Sequence, residues 1–565
     1  MSLEMTESRH PQDDDYPIKP SHGSSGTMIG RRVEDGADGG HPRSFFTRRR
    51  KVVLAGSVIL TLAAVGGLIC LLVKKPWSAQ GGQSPFGHHG AHDDYSDGKG
   101  GQNGNSGTLP RFSPASAVSI SNSVRCNAYT PALDQPFLYG QQPIRGVNLG
   151  GWLVLEPFIT PSVFEPFLSQ NVTDEYSLSK LLGLEKATAL IQKHYDSWVT
   201  EATFKRIRDL GLNHVRIPVG FWALGNLAPD EPYVPDLSLD YLLQGLRWAA
   251  KYGLRVMVEL HGAPGSQNGW NHSGRAGKIG WLDGTAEGEK NGERTIAYVK
   301  QLLQLLQGPG MEHVSPMFGI LNEPAIFLLE RERTDRWYKE AFAEMRNITG
   351  SGKGPWGVIH DGFLGLTQWE GFMPHSDRLA LDVHQYLIFD HSLIRFSRKD
   401  QVNFPCDVWS RNMQQSTLKF GPTLVGEFSS ATNDCATYLN GIGFGYRWDG
   451  TFQSEEDRLA GKPLEEAACE PAKNGHIEGY CSCQTQNRVG SYSQEYRKFL
   501  SDFTQTQMDA FEQGMGWFYW NFKTETSALW SYFDGVDQGW IPKDANSRPG
   551  GCKALGRPIQ PFQED

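Results

Sequence analysis

Short apolar runs recur along the chain beyond residue 124, and each ends in polar residues or a proline. In the clearest case, residues 317–321 are followed by Asn322, Glu323 and Pro324. An unbroken apolar run of this length is typical of a parallel strand that is buried on both faces. Pro324 lacks an N–H and restricts the residue before it, so it ends the strand. The pattern therefore predicts that Glu323 lies at the C-terminal end of a strand.

Seven other runs have the same design, and they alternate with segments of helical periodicity. Their predicted strands end near Asn148, Pro218, His261, Asp361, Tyr386, Glu427 and Phe522. Leu239, Leu242, Leu243 and Leu246 follow helical spacing after a capping Ser238, and Ile296, Val299, Leu303 and Leu306 repeat it. Eight strands alternating with helices predict an α/β fold, a (β/α)8 TIM barrel, over residues 124–565. An open doubly wound sheet is the alternative fold.

A different pattern occupies residues 52–73, which are apolar and uncharged. As a helix this stretch would be about 33 Å long, enough to cross a bilayer core of roughly 30 Å. Four basic residues precede it at 48–51, and Lys74 and Lys75 follow it. The positive-inside rule then predicts a single-pass type II anchor in the plasma membrane, with the C-terminal part outside the cell. A secretory signal is the alternative, but its apolar region would be shorter and nearer Met1.

The segments on either side of this anchor have compositions that are unsuited to a packed core. Residues 1–51 are polar and aperiodic, which predicts a disordered cytoplasmic tail. Residues 74–123 are rich in Gly, Ser, His and Asp, which predicts a flexible stalk. A weak metal site at His88, His89 and His92 is the alternative reading of the stalk.

Composition and cysteine content refine this organisation. Among 565 residues, 39% are hydrophobic and 11% aromatic, which fits a folded core. The net charge of −9 argues against nucleic acid as a partner, since that would require a basic domain. Seven of the eight cysteines follow the anchor, so several should form disulfides outside the cell and one should remain over. A metal cluster around Cys481 and Cys483 is the alternative, although no zinc-finger spacing is present.

Polar residues concentrate at the predicted strand ends, where a barrel carries its active site. They are Asn148, Glu156, Arg216, His261, Asn322, Glu323, His384, Tyr386, Glu427 and Trp520. Taken singly, each has an ordinary structural explanation, such as a core Trp or a surface salt bridge. Gathered on one rim, they predict a site.

Two of these residues, Glu323 and Glu427, supply the carboxyl pair that glycoside hydrolysis needs. A separation of about 5–5.5 Å would make the mechanism retaining, with one nucleophile and one acid/base. Proximity to the negative partner raises the pKa of the acid, and Arg216 is expected to keep the nucleophile ionised. Asn322 is expected to bind the sugar 2-hydroxyl, and Trp270 and Trp520 offer platforms for pyranose faces.

With these residues in place, the chain resembles glycoside hydrolase family five, specifically the fungal exo-β-1,3-glucanases. The matching segments cover roughly residues 130 to 550. They are 145–157, 214–220, 260–269, 321–324, 425–428 and 520–525. Asn-Glu-Pro alone is a weak motif, whereas this ordered set is specific.

The resemblance implies that Glu323 is the acid/base and Glu427 the nucleophile. It implies that Glu156 binds the outer hydroxyls of the terminal glucose and that six residues line its subsite: Arg216, His261, Asn322, His384, Tyr386 and Trp520. It further implies release of glucose from non-reducing ends of β-1,3-glucan in cell-wall remodelling or degradation, glucosyl transfer as a side reaction, and no metal or organic cofactor. An endo-acting β-glucanase of the same fold, and a non-catalytic glucan-binding wall protein, are the alternatives.

Two departures from the family pattern stand out. The usual Phe-Asp-Asn-Ser-Gly is replaced by residues 270–274, Trp-Asn-His-Ser-Gly, so that His272 stands where an amide is expected beside the acceptor subsite. The second departure is a long cysteine-bearing insert between Glu427 and Gly516, which is expected to shape the cleft rim. Asn271 also begins a glycosylation sequon, but a glycan there would obstruct the cleft, so Asn171 and Asn347 are the preferred glycosylation sites.

Overall fold

Eight parallel strands form a closed barrel in the computed structural model, which describes residues 123–469, 481–486 and 488–563. The strands are β1 (Ile144–Asn148), β2 (His214–Gly220), β3 (Arg255–Gly262), β4 (Met317–Leu321), β5 (Trp356–His360), β6 (Leu379–His384), β7 (Thr423–Phe428) and β8 (Gly516–Tyr519). Each strand pairs with the next, and β8 pairs back with β1 through Ile144 and Gly516. The predicted (β/α)8 barrel is confirmed, and the open-sheet alternative is wrong.

Helices connect the strands around this barrel. They are α1 (Pro161–Phe164), α2 (Glu175–Trp198), α3 (Glu201–Asp209), α4 (Leu237–Tyr252), α5 (Ala286–Leu306), α6 (Met311–Val314), α7 (Arg331–Thr349), α8 (Arg398–Phe404), α9 (Ser410–Lys419), α10 (Glu455–Leu459), α11 (Cys483–Gln486), α12 (Gln494–Phe511) and α13 (Tyr532–Asp537). A π-helical turn, Pro405–Trp409, joins α8 to α9. The two helical patterns of the sequence correspond to α4 and α5. Ser238 is not the cap as predicted, because α4 begins one residue earlier and its N-cap is Asp236.

Inward-facing residues fill the barrel in layers, as the two-residue period of a strand requires. At the N-terminal end, apolar side chains such as Met257, Met317 and Leu424 form a buried cluster. The next layer along β3 and β6 is acidic, with Glu259 and Asp382 both almost fully buried. This apolar floor closes the barrel below the polar rim.

Two glycines make room for the acidic layer. A Cβ on Gly319 would lie 2.6 Å from Cγ of Glu259, and one on Gly426 would lie 2.1 Å from Oδ2 of Asp382. Such approaches are far inside van der Waals contact, so a side chain at either position would displace the carboxyl group. Glycine in β4 and β7 therefore permits two charged side chains inside the barrel.

Within the described residues, three disulfides cross-link the domain. Cys406 pairs with Cys552 across 146 residues, which ties the π-helical turn to the C-terminal segment. Cys435–Cys483 and Cys469–Cys481 secure the insert after β7. Cys126 is a buried free thiol. The expectation that the cysteines form disulfides and leave one unpaired is confirmed. The alternative of a metal cluster at Cys481 and Cys483 is wrong, because both sulfurs are in disulfides.

The tail, anchor and stalk predicted at residues 1–51, 52–73 and 74–123 fall outside the described residues, apart from residue 123 itself. Within the part that is described, no helix is both long and apolar enough to span a bilayer.

Candidate active site

Arg216 lies at the centre of the polar rim, and its side chain is completely buried. Its Nη1 donates to Asn148 Oδ1 at 2.7 Å and to Glu427 Oε1 at 2.8 Å, and its Nη2 donates to Asn322 Oδ1 at 2.7 Å. It also pairs with Glu259. A buried guanidinium requires this many partners to offset its lost hydration. One side chain thereby fixes the ends of β1, β3, β4 and β7 relative to one another.

Glu427 is the carboxyl group whose partners favour the ionised state. Arg216 donates to its Oε1, and the Tyr386 hydroxyl donates to its Oε2 at 3.0 Å. Burial, with the charge of Glu259, raises the pKa of Glu427 to about 7, and the charge of Arg216 and the two hydrogen bonds limit that rise. The group is therefore the more acidic of the two carboxyls.

Glu323 has the opposite surroundings. Burial, reinforced by the charge of Glu427, holds its pKa well above the ordinary value. Its Oε1 lies 2.5 Å from His384 Nδ1, and its Oε2 lies 3.2 Å from His272 Nε2. Because burial also lowers the pKa of both imidazoles, they are neutral neighbours that leave the proton on Glu323.

The backbone of Glu323 is strained as well. Its φ is 41°, in the left-handed region that non-glycine residues seldom occupy. Asn268 holds this conformation by donating from Nδ2 to the Glu323 carbonyl oxygen at 3.1 Å. Strain of this kind is maintained where the surrounding structure fixes a functional side chain.

His384 contacts both carboxyl groups. Its Nδ1 lies 2.5 Å from Glu323 Oε1 and 3.5 Å from Glu427 Oε2. The sum of these two distances is an upper limit on the separation of the two oxygens. That limit is compatible with the roughly 5–5.5 Å between the carboxyl groups of a retaining mechanism. The arrangement suits direct attack by one carboxylate on a sugar carbon.

Flat side chains form the walls beside this pair. The His261 ring stacks on Trp520 with centroids 5.7 Å apart and an interplanar angle of 5°. Trp270 lies further out, partly exposed, with the Phe363 ring 5.4 Å away. Planar apolar faces of this kind suit the C–H faces of a pyranose ring.

Glu156 brings a third carboxyl group to the cavity. Its side chain is 2% exposed, and its Oε1 has no hydrogen-bond partner among the described residues. Burial first, and then the charge of Glu427, raises its pKa well above the ordinary value. An unsatisfied buried oxygen is costly, most of all when it is charged, so the neutral carboxyl group is favoured here.

All ten residues predicted for the site lie together at the C-terminal end of the barrel. Seven of them surround the carboxyl pair of Glu323 and Glu427, and Trp270 lies at the rim. The seven are Glu156, Arg216, His261, Asn322, His384, Tyr386 and Trp520. Their individual roles stay predictions. Three local details differ, because β4 ends at Leu321, two residues before Glu323, β6 ends at His384 rather than Tyr386, and β8 ends at Tyr519 rather than Phe522.

The sequence reasoning missed Glu259, Asp382 and His360. Glu259 pairs with Arg216 and with His261 Nδ1, and Asp382 Oδ2 lies 3.5 Å from His384 Nε2. Both acids stand two residues before a predicted site histidine, so strand periodicity places them on the same inward face. That spacing was the available signal.

Glu323, His360 and His384 also present possible metal-ligand atoms within 4.8 Å of one another. However, Glu323 Oε1 and His384 Nδ1 are already joined by a short contact, and Gly362 N donates to His360 Nδ1 at 2.9 Å. The short contact between Glu323 and His384 suits proton sharing between these two side chains.

Comparisons with known proteins agree with this geometry. Residues 178–443 match the cellulase family, glycosyl hydrolase family 5. The chain is 42% identical over 432 residues to the probable glucan 1,3-beta-glucosidase D of Aspergillus niger, and 43% identical over 431 residues to that of Aspergillus clavatus. The barrel is thus similar to glycosyl hydrolase family 5. Each alignment covers 75% of this chain and 50% of the relative, so the chain spans about half the length of the curated relatives it matches.

Solved structures support the fold of this barrel. The rutinosidase from Aspergillus niger superposes with a TM-score of 0.54 at 17% identity, covering 72% of this chain and 99% of that structure. AoRut superposes with a TM-score of 0.53 at 18% identity and the same coverage. At this level of identity the likeness concerns the fold alone.

Proposed function

We propose that the chain is a retaining exo-β-1,3-glucosidase that releases glucose from the non-reducing ends of β-1,3-glucan during cell-wall remodelling or degradation. The observation that carries the proposal is the shared contact of His384 with both carboxyl groups, which brings them close enough for a retaining mechanism. The names of the relatives favour β-1,3-glucan as the substrate.

In the first step, Glu427 attacks the anomeric carbon of the terminal glucose, and the bond to the glycosidic oxygen breaks. Glu323 gives its proton to that oxygen as the aglycone leaves. In the second step, Glu323 takes a proton from water, and the oxygen of that water displaces Glu427 from the anomeric carbon. The hydrogen bonds from Arg216 and Tyr386 suit Glu427 to the nucleophile role, because they stabilise its negative charge.

The remaining predicted residues position the sugar. Asn322 is assigned to the 2-hydroxyl, and the unsatisfied Oε1 of Glu156 is assigned to an outer hydroxyl. Trp520 and His261 support the terminal glucose, and Trp270 supports the sugar that leaves. No metal or organic cofactor enters these steps.

The test is product analysis with the full chain. The protein is incubated with laminarin, and products and anomeric configuration are followed by NMR from the first minutes. Early β-glucose as the sole product is the expected result. A ladder of oligosaccharides would replace exo with endo action, and glucan binding without products would favour a non-catalytic wall protein.

The location is part of the proposal. We infer a type II plasma-membrane protein with a cytoplasmic tail at 1–51, an anchor at 52–73, a stalk at 74–123 and the hydrolase domain at 124–565. The basic residues at 48–51 support this orientation, and the three disulfides suit an oxidising compartment.

Glycosylation fits the same compartment. Asn171 and Asn347 are exposed, so both can receive a glycan on the folded domain. In the competing sequon at Asn271, the Ser273 hydroxyl is buried and bonds Ser266 Oγ at 2.7 Å. We therefore propose Asn171 and Asn347 as the modified residues.

A further inference from the structure

His272 occupies the position at which this chain departs from the family pattern, and it contacts the predicted acid/base. Its Nε2 lies 3.2 Å from Glu323 Oε2. A short 3-10 turn, Asn271–Ser273, carries it, and Ser273 fixes the turn by donating from its N–H to the Trp270 carbonyl oxygen at 3.1 Å. The imidazole is thus held beside the carboxyl group.

The two oxygens of Glu323 have different surroundings. Oε1 contacts His384, whose side chain is completely buried. Oε2 contacts His272, whose side chain is 21% exposed and lies between the rings of His261 and Trp270. Oε2 is therefore the oxygen on the open side of the site, where the leaving group would arrive.

Proton accounting favours one arrangement. A neutral imidazole carries one N–H and one acceptor nitrogen. If His384 donates from Nδ1 to Oε1, the Glu323 proton resides on Oε2 and His272 Nε2 accepts it. His272 Nε2 is then 3.2 Å from the oxygen that carries the proton. His272 pairs with Glu323, whereas Arg216 and Tyr386 hold Glu427.

We propose that His272 is a positioning residue that keeps the Glu323 proton on Oε2, facing the cleft, until the glycosidic oxygen takes the place of the imidazole as acceptor. This role rests on the proposed glucosidase function. With this role, the histidine in place of an amide at position 272 affects the acid, because an imidazole nitrogen is a stronger base than an amide oxygen. Glu323 therefore remains protonated to higher pH with His272 than with asparagine.

Other titratable groups face the pair from neighbouring elements, and all are retained in the test. The guanidinium of Arg216 comes from β2. The carboxyl groups are those of Glu259 on β3, Glu427 on β7 and Glu156 after β1. His261, His360 and His384 bring imidazoles from β3, β5 and β6, and burial lowers the pKa of each. Tyr386 and Asp382 complete the set, with burial raising the pKa of both.

The decisive variant is His272→Asn in the full chain. We expect the titration midpoint of Glu323 to fall by about one pH unit, the size of a hydrogen bond to an ionisable group. Glutamate labelled with 13C at the side-chain carboxyl reports this midpoint by NMR, and the Glu323 signal is assigned by its loss in Glu323→Gln. The alkaline limb of kcat/KM on laminarin should move down by the same amount.

His313→Asn is the matched control, since it makes the same change on α6, before β4 and at the other end of the barrel. It should leave both midpoints unchanged. An unchanged or higher Glu323 midpoint in His272→Asn would overturn the proposal, as would a lower kcat with an unmoved limb. If the wild-type chain leaves laminarin intact, the proposed function fails, while the NMR titration still decides the role of His272.

Discussion

At the scale of single residues, two carboxyl groups in one buried cavity receive opposite partners. Glu427 accepts hydrogen bonds from Arg216 and Tyr386, whereas Glu323 lies between the imidazoles of His272 and His384. Burial raises both pKa values, so the difference comes from the neighbours. This asymmetry supports the proposed roles of nucleophile and acid without any difference in side-chain type.

Replacing Glu427 by Gln removes the attacking oxygen while retaining the shape of the side chain. We expect turnover of laminarin to fall by roughly 10³–10⁶-fold, because no covalent intermediate can form. Released glucose measures the loss, and circular dichroism checks that the barrel is intact. Turnover near the wild-type rate in a folded variant would refute the nucleophile assignment.

Replacing Glu323 by Ala should have an effect that depends on the substrate. With laminarin, loss of the general acid should slow the first step by roughly 10²–10⁴-fold. With an aryl β-glucoside of low leaving-group pKa, that step needs no proton, so the glycosyl-enzyme should still form in a rapid burst of phenol. Equal losses on both substrates would speak against Glu323 as the acid.

The residue-level predictions succeeded where a polar group followed an apolar run and failed where it lay inside one. Glu323 and Glu427 were visible because each follows an apolar run. Glu259 and Asp382 lie within otherwise apolar runs, and Gly319 and Gly426 on adjacent strands make space for them. Contacts between neighbouring loops, such as His272 to Glu323, depend on loop conformation, which periodicity does not determine.

At the scale of elements, strand order and helix periodicity were readable, whereas their exact ends were not. Ser238 looked like the N-cap, yet the N-cap is Asp236 and α4 begins at Leu237. Ion pairs between elements were equally invisible, because their partners are far apart in sequence. Glu512, directly after α12, binds Arg145 Nε on β1 at 2.8 Å and Arg548 Nη2 at 2.9 Å. This cluster joins α12, β1 and the C-terminal segment.

The Glu512 cluster predicts a pH-dependent stability. Burial alone would raise the pKa of Glu512, but hydrogen bonds from Arg145 and Arg548 overcome it and hold the pKa at about 2. A depressed pKa stabilises the fold above the ordinary value near 4.5, and the gain disappears as pH falls towards 2. Glu512→Gln should therefore lower the free energy of unfolding at pH 7 by about 3 kcal/mol.

Urea unfolding at several pH values, followed by tryptophan fluorescence, measures this effect. The curve of Glu512→Gln should be flatter than that of the wild type between about pH 4.5 and pH 2. Glu287→Gln is the control, because Glu287 forms an exposed pair with Lys290 that is worth less than about 1 kcal/mol. Parallel curves for wild type and Glu512→Gln would contradict the assignment.

At the scale of the whole molecule, the sequence predicted the barrel and the presence of disulfides but left their pairing open. Seven cysteines allow many pairings, and the distance between Cys406 and Cys552 along the chain gives no hint that they meet. The fold brings them together because the C-terminal segment returns past α12. Pairing thus depends on tertiary structure, while the need for pairing follows from the proposed compartment.

Orientation in the membrane links the N-terminal charges to these disulfides. Changing residues 48–51 to Ser leaves Lys74 and Lys75 as the nearest cations, which reverses the charge bias across the anchor. A fraction of the molecules should then insert with the barrel in the cytosol, where thiols stay reduced. Labelling of denatured protein with a thiol-reactive polymer should modify the six disulfide cysteines in that fraction only.

The same fraction should lack glycans at Asn171 and Asn347, since glycosylation occurs on the translocated side. Changing Lys74 and Lys75 to Ser is the control, because it strengthens the original bias and should leave every molecule glycosylated with its disulfides formed. If the variant at 48–51 keeps the disulfides and glycans of the wild type, the flanking charges do not set the orientation. If the wild type itself carries reduced cysteines and no glycan, the barrel does not reach the cell-wall side, and the proposed substrate would have to be sought inside the cell.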